Sequence, residues 1–155
     1  MPAGAELEIG SIAGIPLYNG DVEVEGIPTS VAALKEKVVQ ADALLLVSPE
    51  YNNGIPGVFK NAIDWLSRPS SDIARVFGGK PIALIGASPG NFGTILSQAA
   101  WLPVLRTLGA DHWAGGRLLV SHAGQIFDAE GNLTDDAIRE RLRHYLEGFV
   151  AHIRR

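Results

Sequence analysis

The stretch that most constrains this chain runs from Ala43 to Leu66. Ala43-Leu44-Leu45-Leu46-Val47 is an unbroken apolar run, short for a helix and suited to a strand buried on both faces of a parallel sheet. Ser48-Pro49-Glu50-Tyr51-Asn52-Asn53-Gly54-Ile55-Pro56-Gly57 follows as a loop. Pro56 suits the first turn of a helix, where its missing N–H costs nothing, and Val58/Phe59, Ala62/Ile63 and Leu66 then recur on one face at helical spacing. A strand, a loop and a helix in that order put the loop at the carboxyl end of a core strand. In open α/β sheets that is where ligands bind.

The rest of the chain repeats this grammar. Glu6-Leu7-Glu8-Ile9 alternates polar and apolar, which predicts a strand near a sheet edge. Asn19-Gly20-Asp21 and Gly26-Ile27-Pro28 read as loop around a short acidic stretch. Thr29 or Ser30 is the expected cap of a helix carrying Val31, Leu34 and Val38 and ending before Asp42. Pro69-Ser70-Ser71-Asp72 and Gly78-Gly79 break the chain before Ile82-Ala83-Leu84-Ile85-Gly86-Ala87, a second strand buried on both faces. Ser88-Pro89-Gly90-Asn91-Phe92-Gly93 is the loop at its end. A helix is predicted from about Thr94 to Leu108, stopped by Gly109, with a kink or break near Leu102 because Pro103 removes an interior hydrogen bond. Arg117-Leu118-Leu119-Val120-Ser121 is the next strand. Glu130-Gly131-Asn132 reads as a turn, Thr134 as a cap, and Ile138, Leu142, Tyr145/Leu146, Phe149 and Ile153 as one stripe of a closing helix. Strands alternating with helices predict an α/β fold with a parallel sheet covered on both sides.

Composition bounds the function. At 155 residues, 46% hydrophobic and 19% charged, the chain predicts one domain over residues 1–155. A net charge of -4 with dispersed Lys and Arg leaves no nucleic-acid footprint, and no apolar stretch reaches the roughly 20 residues that span a bilayer. Without cysteine there is no disulfide, thiolate metal site or cysteine nucleophile. The chain reads as soluble, untargeted and cytoplasmic.

The loop Pro49-Glu50-Tyr51-Asn52, with Pro56-Gly57 and Lys60-Asn61-Ala62-Ile63-Asp64-Trp65-Leu66-Ser67-Arg68, resembles the flavin-binding loop of the NADPH-dependent FMN reductase family, which includes chromate, quinone and azo-dye reductases. The likeness extends to Ile15-Pro16-Leu17-Tyr18, Gly79-Lys80-Pro81 and Ser88-Pro89-Gly90. It implies a flavodoxin-like three-layer sandwich with strand order 2-1-3-4-5. It implies FMN as cofactor, NADPH or NADH as hydride donor, and a quinone, azo compound, chromate or flavin as small-molecule acceptor. No side chain is expected to be catalytic, because the flavin carries the chemistry and the protein positions it. By the same resemblance Pro49, Glu50, Tyr51 and Asn52 line the ring, with Ala87, Ser88 and Gly90 facing them across the crevice. Asp64, Trp65 and Leu66 are read as packing or subunit-interface positions of a homodimer or homotetramer, and Lys60 and Asn61 as surface and packing residues.

One part of the family pattern is absent. Its members open with a strand and a Gly-Ser and Arg/Ser/Asn-rich loop that holds the FMN phosphate at a helix N-terminus. Met1-Pro2-Ala3-Gly4 matches the point where that first helix would be ending. The domain therefore reads as shortened at its N-terminus, either as a piece of a longer chain, which is the favoured reading, or as a chain that rearranges or borrows a strand. Alternatives to the reductase are a flavodoxin-like electron carrier, or a remnant unable to hold FMN.

Other chemistries find no support. Gly86, Gly90 and Gly93 do not have the spacing of a dinucleotide fingerprint. His112, His122, His144 and His152 are dispersed, Asp128 to Asp136 lacks the register of a calcium loop, and no hydrolase elbow is present.

Overall fold

A computed structural model describes residues 1–155. Its centre is a parallel sheet in which β1 (Leu44–Val47) and β2 (Pro81–Ala87) pair along their whole common length, Leu44 against Ile82 through Val47 against Ile85. The other edge of β2 is shared by two short strands. β3 (Asp111–His112) pairs with its beginning, and β4 (Leu118–Val120) pairs with Ile85, Gly86 and Ala87 at its end. All the pairings are parallel, as the alternation of strands and helices predicts.

Because successive strand side chains point to opposite faces, each strand feeds two cores. Leu46, Ile82 and Leu84 enter the larger one, with Val31 and Val38 of α2 (Thr29–Gln40), Ile63, Trp65 and Leu66 of α3 (Gly57–Leu66), Val76 and Phe77 of α4 (Ile73–Phe77), and Trp101 and Leu105 of α5 (Ile95–Thr107). Ala83, Leu118 and Val120 enter the smaller one, against Trp113 and against Tyr145 and Phe149 of α6 (Asp136–Ile153). The result is three layers, with four helices on one face and one on the other. Trp65, Trp101 and Phe77 are fully buried. Removing a large apolar side chain from water contributes roughly 1.5–3 kcal/mol each, so these three anchor the larger core.

Several expectations need correction. Residues 6–9 form no strand; Leu7 and Ile9 are exposed, and no strand lies beside them to take their backbone bonds. The acidic stretch forms a short helix, α1 (Gly20–Glu25), capped by the Asn19 side chain accepting from Asp21 N. α2 begins after Pro28 with no side-chain cap, so neither Thr29 nor Ser30 serves as one. α5 runs unbroken through Pro103, because Trp101 and Leu105 are locked into the core on either side of it. Gly109, at φ +71, does stop the helix region as predicted. α6 is capped by Asp135, which accepts from Ile138 N at 2.9 Å, whereas Thr134 turns its hydroxyl to the Ile126 carbonyl. Of the two readings given for Trp65 and Leu66, packing is the one that holds: both are buried in the core.

The segments quoted for the resemblance meet in space. Asn61 of α3 accepts from Tyr18 N at 2.9 Å and donates to the Pro16 carbonyl at 2.8 Å, and Trp65 Nε1 donates to the same carbonyl at 2.9 Å. The Tyr18 ring stands edge-on to Trp65 at 5.0 Å, with the Arg68 guanidinium over it at 5.7 Å. Asn61 is therefore a packing residue that ties residues 16–18 to α3. Lys60 pairs with Asp64 one turn on, as surface residues at this spacing do.

Candidate active site

The parallel sheet brings the loops after β1, β2 and β4 to one end. The first contains a two-residue turn, Tyr51 N to Gly54 O at 3.1 Å and Gly54 N to Tyr51 O at 3.0 Å, with Asn52 and Asn53 at φ +50 and +63. Both central residues lie in the left-handed region, as a type I′ turn demands, and Asn is among the few side chains that tolerate it. Tyr51, Asn52 and Asn53 are exposed at the tip, with Pro49 and Glu50 half-buried at its base.

The second loop leaves β2 at Ala87. Ser88 N donates to Val120 O at 2.9 Å, and the Ser88 hydroxyl closes its own loop on Gly93 O at 2.6 Å. The third loop joins it: Ala123 N donates to Ser88 O at 3.0 Å and His122 N to Gly90 O at 3.2 Å. Ala87, Ser88 and Gly90 are thus gathered beside Pro49 to Asn52 at the carboxyl ends of adjacent strands.

Beneath the loops lies a buried polar seam. Trp101 Nε1 donates to Ser48 Oγ at 3.0 Å, Ser48 Oγ stands 3.1 Å from Ser97 Oγ, and Gln98 Nε2 donates to Thr94 Oγ1 and to Leu118 O, each at 3.0 Å. The strands approach so closely here that a Cβ on Gly86 would sit 2.1 Å from Ser48 O and 2.4 Å from Thr94 Oγ1. Glu50 Oε2 reaches over this seam and accepts from Leu96 N at 2.8 Å and Ser97 N at 2.9 Å.

Above the seam, donors are left over. The backbone N–H groups of Glu50, Asn52 and Asn53 in the first loop, and of Gly90, Asn91 and Phe92 in the second, make no hydrogen bond within the chain. No group of three or more His, Asp or Glu side chains is arranged to hold a metal ion. The two loops thus carry unpaired amides together with two exposed aromatic side chains, Tyr51 on the first and Phe92 on the second.

The family model for NADPH-dependent FMN reductase matches residues 1–125. The chain belongs to this family. It is 42% identical over its whole length to an NAD(P)H-dependent FMN reductase of Pseudomonas aeruginosa and 35% identical to a 2-hydroxy-1,4-benzoquinone reductase of a Burkholderia species, covering 82% of each relative. The solved structure of FerB, a flavoenzyme NAD(P)H:(acceptor) oxidoreductase of Paracoccus denitrificans, matches with a TM-score of 0.85 and 34% identity, over 96% of this chain and 80% of that one. The likeness supports the flavodoxin-like fold expected from the sequence.

The donors present fit the ring end of FMN. An isoalloxazine is flat and edged with carbonyl oxygens and ring nitrogens that accept hydrogen bonds, which six unpaired amides from two adjacent loops can supply. The N-terminus of α5 is already filled by the Glu50 carboxylate, so it does not offer itself to the phosphate. Sequence reasoning passed over Ser97 and Gln98, and weighed His122 only as a metal ligand. The first two give no local signal, since a Ser and a Gln inside a helix are unremarkable until the fold buries them. His122 stands at φ +53, a conformation no residue pattern advertises.

Proposed function

We propose that this protein is an NAD(P)H-dependent FMN reductase that passes electrons to a quinone-type acceptor, with Pro49, Glu50, Tyr51, Asn52, Ala87, Ser88 and Gly90 forming the flavin shelf. The observation that carries this reading is the set of unpaired amides in two adjoining loops at the carboxyl end of the sheet. Bound FMN would supply the redox chemistry, hydride acceptance from the nicotinamide and two-electron delivery to the acceptor. The amides of Glu50, Asn52 and Asn53 orient the ring and stabilise negative charge on its carbonyl edge, as preorganised donors do. Tyr51 and Phe92 offer apolar faces on which a flat acceptor can lie. The balance is NAD(P)H, a proton and a quinone giving NAD(P)+ and a hydroquinone, and the proton comes from solvent because the shelf is open to it.

The relatives named as quinone reductases favour quinones among the acceptors. One domain over residues 1–155 is supported by both cores sharing the strands of one sheet. A homodimer or homotetramer is supported by Leu17 and Val58, exposed and apolar on the rim of one cleft near the start of α3. A cytoplasmic location accords with the absence of cysteine and of any helix long and apolar enough to cross a membrane.

The test is NAD(P)H oxidation by the FMN-loaded protein with 1,4-benzoquinone. One hydroquinone formed per NAD(P)H consumed is expected. FMN that stays bound but is not reduced by either nicotinamide would contradict the reductase reading and favour the electron carrier.

A further inference from the structure

We infer that Glu50 is a positioning residue that sets the spacing between the two flavin loops by clamping the first onto the start of α5. The inference rests on the flavin reading for its effect on activity, but the clamp itself is a property of the chain alone. Glu50 has an unpaired backbone N–H on the shelf, yet its carboxylate turns away from the shelf and accepts two backbone hydrogen bonds, from Leu96 and Ser97. A carboxylate at this place meets two of the helix-terminal N–H groups that have no partner inside the helix, and the positive end of the helix dipole.

The consequence lies in what the clamp joins. The first loop hangs on β1 and carries the Glu50, Asn52 and Asn53 donors. The second carries the Gly90, Asn91 and Phe92 donors and leads through Gly93 and Thr94 directly into α5. Below them the strands and the Ser48–Ser97 contact hold the separation, but at the level of the shelf Glu50 is the side chain that crosses between these two loops. Both donor sets must meet one rigid ring at once, and a misplacement of about 1 Å in such a site costs up to about a hundredfold.

Reach and charge can be separated. Glu50→Gln keeps the reach and an accepting oxygen but loses the charge; Glu50→Asp keeps the charge and loses the reach; Glu50→Ala loses both. The first readout is amide hydrogen exchange at Leu96 and Ser97 in the ligand-free protein. Protection is expected in the wild type and Glu50→Gln, and faster exchange by about tenfold or more in Glu50→Asp and Glu50→Ala. The second readout is FMN titration with the kinetics at saturating FMN. The dissociation constant is expected to rise about tenfold in Glu50→Asp and Glu50→Ala and no more than about threefold in Glu50→Gln. Turnover at saturating FMN is expected to fall about tenfold in Glu50→Asp and Glu50→Ala and to be rescued to within about threefold of the wild type in Glu50→Gln.

Two results would overturn the inference. One is Glu50→Asp matching the wild type while Glu50→Gln matches Glu50→Ala, which would make charge and not reach the operative property. The other is unchanged exchange at Leu96 and Ser97 in Glu50→Ala, which would mean that the clamp is not made. Should Glu50→Ala not fold, the Gln and Asp pair decides the matter. Should the wild type bind no FMN, the flavin reading fails, while the exchange measurement still tests the clamp.

Discussion

Ser48 shows how one hydroxyl joins fold and site. It is fully buried, accepts from Trp101 Nε1, faces Ser97 Oγ and lies at the root of the first loop. Ser48→Ala strands a buried indole N–H, a loss of about 1–3 kcal/mol that urea denaturation should register. Gly86 is constrained by space alone: Gly86→Ala puts a methyl into Ser48 O and Thr94 Oγ1, so the backbone must move. Overpacking of this kind costs about 1–3 kcal/mol or more, and the variant should also loosen the loop-bearing ends of β1 and β2. Lys35 is the buried charge, 4% exposed, donating to Asp72 Oδ2 at 2.9 Å and to the Arg68 carbonyl. The hydrogen bond from Lys35, aided by its charge, holds the Asp72 carboxyl below its ordinary pKa. A lowered carboxyl pKa means stability that is present above the unfolded pKa of about 4 and is lost as pH falls through the folded value. Lys35→Met should therefore flatten the acid limb of the stability-versus-pH curve.

At the scale of elements, the strands were the legible part. Ala43 to Val47 and Ile82 to Ala87 are apolar without alternation, and both became strands within a residue or two of the expected ends; β2 is buried on two faces as expected, whereas β1 is not, with Leu44 and Leu45 half-buried and Val47 exposed. Helix ends were read less well, because capping depends on which side chain the preceding backbone aims. Thr134 and Asp135 are both good caps by type, and Asp135 takes the role while Thr134 gives its hydroxyl to the Ile126 carbonyl. Asp135→Ala should cost about 1 kcal/mol in thermal or urea unfolding, whereas Thr134→Ala leaves the cap in place. Pro103 was misread because local propensity counts the one lost hydrogen bond and not the burial of Trp101 and Leu105 flanking it. The Glu6 to Ile9 pattern alternates like a strand, but alternation needs a neighbouring edge to become one.

For the whole molecule, the parallel sheet converts sequence order into a site by placing three loop starts at one end. The loops after β1 and β2 were legible from the residues; their link through Glu50 was not, since Glu50 and Leu96 lie 46 positions apart. The smaller core has its own signature in pH. Tyr145 is buried and donates to Leu84 O at 2.8 Å, and burial pushes its phenol up to about 12. A raised phenol pKa gives stability that is full below the unfolded value near 10 and is lost as pH climbs through about 12. Wild-type stability should fall more steeply than that of Tyr145→Phe across that window, a difference of up to about 3 kcal/mol. The central claim is that the two loops hold FMN so that a nicotinamide can reduce it. Its most direct test is anaerobic stopped-flow mixing of the FMN-titrated protein with NADPH and, separately, NADH, following the flavin absorbance. Saturable FMN binding followed by full bleaching with at least one nicotinamide is the predicted result; a folded protein that leaves FMN free in solution and unreduced would contradict it.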